Sequence, residues 1–256
     1  MYSKCEKPII TCSIFYYDVD YKKSTGQQVL NILAKHNMFP PEKFYAGKLT
    51  KNRFVYASES TLEVMAQAYS EKDVLALDMG SGDSREVDDY WRVQWNLTFY
   101  KSSKIVTNPV FMPWNVLSIY STHKRMNDPA VYSSFFSCMR ELIEFLCPFY
   151  AVVDDVSNKV KLMNRAHETH FVPERIQEIY WGNYFGEFHC KHYGTKKIKE
   201  IPINNVNRIG NGIFFTLTDH VLDYESRECK QARSAVKKHL GDIGKTGEKT
   251  GDGSLS

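Results

Sequence analysis

The chain has 256 residues, 43% hydrophobic and 25% charged, with 33 Lys and Arg against 30 Asp and Glu for a net charge of +3. That composition buries a core and excludes a disordered polymer. It also lacks the basic excess of a dedicated nucleic-acid binder, while 16 Tyr, 15 Phe and 4 Trp supply aromatics for a core, an interface or both.

Taken in order, 9–17 alternates Ile10, Cys12, Ile14 and Tyr16 with Thr11, Ser13, Phe15 and Tyr17, which predicts a strand inside a sheet. Ser24 or Thr25 caps a helix to about Asn37 with Val29, Ile32, Leu33 and His36 at helical spacing, and Pro40-Pro41 stops it. Short strands follow at 44–47 and 53–57, then a helix through Leu62, Met65 and Tyr69 and a strand at 74–77. Residues 90–100 give the clearest strand, with Trp91, Val93, Trp95, Leu97 and Phe99 opposite Arg92, Gln94, Asn96 and Thr98. Its antiparallel mate is 114–120. Asn127 or Asp128 caps a long helix with Pro129 in its first turn and Val131, Phe135, Cys138, Met139, Leu142 and Leu146 inward. A strand at 151–153 leads into Asp154-Asp155. Gly182 and Gly186 bracket a tight aromatic corner. Gly210-Asn211-Gly212 joins 206–209 to 213–217 as a hairpin. The last helix runs from Glu225 to Leu240, with Asp223 as its cap and Gly241 as its stop. The fold class is α+β: a mainly antiparallel sheet with helices packed on it, ending in a hairpin plus helix. Residues 1–241 read as one domain and 242–256 as a polar, disordered tail.

Cys5, Cys12, Cys138, Cys147, Cys190 and Cys229 show no CxxC spacing and read as reduced, mostly buried thiols. The first residues carry no apolar leader and no run reaches membrane-span length, so a cytoplasmic chain away from membranes is expected. His167 with His170 and His189 with His192 match neither a finger nor HExxH. Surface or structural histidines are the plainer reading, and no metal or cofactor is expected. Asp18 with Asp20, and Asp154 with Asp155, are strand-end carboxylates; they suit turns and caps, and could alternatively serve a small metal-dependent hydrolase or nuclease. A non-catalytic adaptor module is a third class.

The stretch from Ile179 to Gly241 carries a resemblance. WGNYFG, Tyr193-Gly194, Ile201-Pro202, the Gly-Asn-Gly turn, Leu217-Thr218-Asp219, Asp223-Tyr224 and the terminal His239-Leu240-Gly241 follow in an order that resembles the immunity protein 52 family of bacterial polymorphic-toxin systems. About a quarter of the chain is covered. The resemblance implies a non-enzymatic protein that binds a cognate toxin, with restriction-endonuclease-like nucleases as the first toxin class, and no direct contact with nucleic acid. Between Glu71 and Asp89 seven acidic residues stand against two basic ones. This is a solvated connector, or a phosphate mimic for the basic cleft of a nuclease. On the second reading Asp83, Glu86, Asp88 and Asp89 contact the partner, with Arg92 and Gln94 of the polar strand face and Tyr184 of the corner as further contacts. For Tyr184 and Phe185, packing within the corner is the favoured alternative. Residue types alone give neither the toxin, nor the interface, nor the oligomeric state.

Overall fold

The computed structural model describes residues 9–17, 21–37, 43–48, 53–56, 62–71, 74–80, 91–96, 115–159, 176 and 178–241. The strands are β1 (Ile9–Tyr16), β2 (Lys43–Lys48), β3 (Arg53–Tyr56), β4 (Val74–Gly80), β5 (Trp91–Asn96), β6 (Asn115–Thr122), β7 (Tyr150–Asp155), β8 (Gly182–Phe185), β9 (Asn205–Ile209) and β10 (Gly212–Thr216). The helices are α1 (Lys23–Lys35), α2 (Leu62–Ser70), α3 (His123–Met126), α4 (Pro129–Leu146), α5 (Glu187–Tyr193), α6 (Thr195–Lys199) and α7 (Arg227–Leu240). The fold is α+β, as the sequence predicts. All ten strands join one antiparallel sheet in the order β3-β2-β4-β5-β6-β1-β7-β8-β10-β9.

Strand β1 is central, and all eight of its residues are buried. One face of the sheet carries Cys12, Ile14, Leu117, Ile119, Val93, Trp95 and Leu77, all fully buried. Helices α1, α2 and α4 close that face: the Tyr69 ring lies 4.4 Å from Trp95, whose indole N–H donates to Tyr16 Oη. Burial of such side chains stabilises by about 1.5–3 kcal/mol each. On the other face α5 packs against β8 and β10, where Phe185 meets Phe215, His189 and Tyr193 at 5.2, 5.6 and 5.9 Å.

Most predicted ends hold. Asp128 caps α4 by accepting from Ala130 N at 2.8 Å, with Pro129 at the first helical position. Helix α4 ends at Cys147 in the left-handed region, φ +46°, just before Pro148. Five details differ. Helix α1 begins at Lys23 without a side-chain cap. Strand β4 extends to Gly80 because it pairs on both sides, with β2 and β5. The corner 182–185 is a strand, β8, and Gly186 serves by close approach: a Cβ there would lie 2.3 Å from the Pro148 carbonyl oxygen. The hairpin turns on Gly210-Asn211, with positive φ at Gly210 (+52°) and not at Asn211, so glycine leads as in a II′ turn. Ser226, not Asp223, caps α7, accepting from Cys229 N at 3.0 Å. Helices α3, α5 and α6 are additional.

Candidate functional site

The neighbouring carboxylates at the end of β7 do not converge. Successive strand residues point to opposite faces, so Asp154 and Asp155 diverge. Asp154 is fully buried. Both its oxygens accept from Asn158 Nδ2 at 2.9 Å; Oδ1 also accepts from Asp155 N at 2.8 Å and Oδ2 from Trp181 N at 3.0 Å. Arg233 of α7 lies 3.9 Å away and donates Nε to the Ile179 carbonyl at 2.8 Å. Burial pushes the Asp154 carboxyl up to about 6 even against these donors. Asp155 turns the other way: Oδ1 accepts from Ser157 N and Asn158 N, capping the helical turn at 156–159, and Oδ2 sits 3.0 Å from His123 Nε2. Burial works to raise Asp155, but the hydrogen bonds from His123 and Ser157 outweigh it and hold the carboxyl below its ordinary value. Each carboxylate is spent on structure. Asp154 ties β7 to the segment before β8 and to α7. Asp155 ties it to α3. This geometry does not bring the two carboxylates together at one point.

A second polar cluster was not visible in the sequence. Lys159 Nζ donates to Ser13 Oγ at 2.7 Å, and Ser13 Oγ is 2.9 Å from Ser118 Oγ. Burial lowers the Lys159 amine to about 8, with Cys12 and Asp154 acting against that shift. A serine beside such a lysine is the arrangement of Ser–Lys nucleophiles. Here Ser13 and Ser118 are mid-strand, 1% and 5% exposed, so the hydroxyls are closed to a substrate. Ser118 and Lys159 lie 105 and 146 positions from Ser13 along the chain, which leaves no local signal.

The sequence-predicted partner contacts separate. Arg92 and Gln94 lie on the polar face of β5, opposite the buried Trp91, Val93 and Trp95. Arg92 makes a two-pronged ion pair with Asp78, Nε donating to Oδ1 at 2.8 Å, and Tyr120 Oη donates to Gln94 Oε1 at 3.3 Å. A partner at this face would have to match groups that already bond each other. Tyr184 is a correction: it is 1% exposed, beneath Gly212, where a Cβ would fall 2.5 Å from its hydroxyl. It packs the corner and offers no ring to a partner. Asp83, Glu86, Asp88 and Asp89 lie outside the described residues, as do Asp18, Asp20, His167, His170, Trp114, Cys5 and the tail 242–256. His189 is fully buried with Nδ1 2.8 Å from the Phe149 carbonyl oxygen. Cys12, Cys138, Cys190 and Cys229 are buried free thiols and Cys147 is exposed. Among the described residues no three His, Cys, Asp or Glu group as a metal site, and no helix is long and apolar enough to cross a membrane.

No protein-family model matches the chain, and no curated protein matches it in sequence. In structure it is similar to a Pseudomonas aeruginosa T6SS protein, PA0821, with a TM-score of 0.64 at 13% identity, over 92% of this chain and 73% of that one. At that identity the likeness is one of fold.

Proposed function

We propose that this chain is an immunity protein that binds and neutralises a cognate bacterial toxin. The observation that carries the reading is the fold likeness to a T6SS protein over 92% of the chain, set beside the order of residues from Ile179 to Gly241 that resembles immunity protein 52. The divergence of Asp154 and Asp155 and the closure of Ser13 support a binding role over a catalytic one. The partner is a toxin protein in the cytoplasm of the producing cell, and a restriction-endonuclease-like nuclease is the first class to test. The acidic run from Glu71 to Asp89 suits that class by charge. The experiment is co-expression with the product of the neighbouring open reading frame. Growth arrest by that product, relieved by this chain, is the expected result; arrest that persists at full expression of this chain overturns the proposal.

A further inference from the structure

The polar face of β1 holds a part-buried lysine among groups that have more donors than acceptors. The turn at 156–159, capped by Asp155, folds Lys159 back over β1, where Nζ donates to Ser13 Oγ at 2.7 Å. Ser13 lies opposite Ser118 of β6, with the two hydroxyl oxygens 2.9 Å apart. Two hydroxyls joined by one hydrogen bond leave one O–H over. Neither serine side chain has a further acceptor among the described residues. Thr11, two residues earlier on the same face of β1, is 1% exposed, and its Oγ1 has no hydrogen-bond partner. Buried hydroxyls left in this state cost stability.

The acceptors on neighbouring strands are engaged elsewhere. Asp154 stands opposite Thr11 on β7, but its oxygens take Asn158 Nδ2, Asp155 N and Trp181 N, with Arg233 beside them. Gln94 stands opposite Ser118 on β5, and its Oε1 accepts from Tyr120 Oη. Arg92 and Asp78 bond each other. Lys159 is the group in this cluster that can acquire an acceptor by covalent chemistry. Burial lowers its amine to about 8, so a mildly alkaline solution supplies the unprotonated, nucleophilic nitrogen.

We infer that Lys159 is a carbamylation site: its amine adds carbon dioxide, and the resulting carbamate accepts from the Ser13–Ser118 pair and from Thr11. The nitrogen lone pair attacks the carbon and a C–N bond forms. One C–O π bond breaks, leaving its electrons on oxygen, and a proton passes from nitrogen to water. The step is R–NH2 + CO2 → R–NH–COO− + H+. The remaining N–H keeps its bond to Ser13 Oγ, and the new carboxylate gives the hydroxyls acceptor oxygens. Carbon dioxide suits a cluster whose hydroxyls are nearly closed to solvent. An aldehyde would instead form an imine, which has no N–H for Ser13 and no anionic oxygen for the hydroxyls. The site is independent of the toxin-binding reading.

The test uses the full chain in 13C-bicarbonate buffer at mildly alkaline pH. A trialkyloxonium reagent converts any carbamate to a stable ester, and peptide mass spectrometry locates it on the wild-type protein, so this arm needs no variant to fold. Label is expected on Lys159 well above that on the exposed Lys230. In 13C NMR the folded chain should show a carbamate resonance that Lys159→Met lacks. Ser118→Ala, checked for folding by circular dichroism, should lower the occupancy of Lys159 about tenfold, the effect of losing one hydrogen bond to a charged group. Label on Lys159 no higher than on Lys230, or confined to the α-amino group, overturns the inference. Full occupancy in folded Ser118→Ala overturns it too, because the hydroxyl pair would then play no part in holding the carbamate.

Discussion

The backbone N–H of Trp181 donates to the carboxylate of Asp154 at 3.0 Å, across 27 residues of chain. The end of β7 thereby sets the residue that precedes β8, and through Arg233 it also reaches α7. Asp154→Ala would leave the Trp181 N–H and the Asn158 amide without this acceptor, and Arg233 without its buried charge partner. The expected cost is about 3–5 kcal/mol of unfolding free energy, measured by urea denaturation. A loss below about 1 kcal/mol would show that the site relaxes around the gap.

The same carboxylate makes stability depend on pH. Its folded pKa of about 6 lies above the ordinary value. Its contribution is therefore complete below the ordinary carboxylate range and is lost as pH rises through about 6. Asp155, held low, works the opposite way, with its contribution lost as pH falls. Asp154→Asn stays neutral throughout, so the margin of wild type over this variant should be largest near pH 4 and shrink by pH 7. A margin that widens towards neutrality would contradict the assignment.

Much of this architecture was legible because it is periodic. The two-residue alternation of β1 and β5, the 3.6-residue stripe of α4 and the Asp128-Pro129 start each have a local physical cause. What escaped was long-range. Residues 182–185 look like a corner because two glycines bracket them, and only pairing with β7 and β10 makes them a strand. Arg233 reads as a surface residue on a basic helix until Asp154 and the Ile179 carbonyl draw it inside. Tyr184 carries nothing local that separates packing from display.

Two glycines should respond to alanine through different mechanisms. At Gly186 the new Cβ would meet backbone at 2.3 Å, and overpacking against rigid backbone costs about 3 kcal/mol. At Gly210 nothing lies within 4 Å, but φ is +52°, so the cost is backbone strain of about 1 kcal/mol. Thermal melting of both variants checks the order; Gly210→Ala as the more damaging of the two would contradict it.

The Ser13–Lys159 contact gives a test of the non-catalytic reading. Lys159→Met replaces a buried amine with an apolar chain of similar length, and such exchanges fall within about 1 kcal/mol of neutral or stabilise. Toxin neutralisation should survive it, and a fluorophosphonate probe should leave Ser13 unlabelled in wild type. Labelling of Ser13 that Lys159→Met abolishes would establish a nucleophile where the structure places a closed one.

The central claim is that this chain acts by binding a toxin. Its most direct test titrates the activity of the toxin that co-expression identifies, on nucleic acid if it proves a nuclease, against rising amounts of this protein. The account predicts activity falling linearly and vanishing at an equimolar ratio, with no activity from this chain alone. Full toxin activity in the presence of a large excess of the folded protein would contradict it.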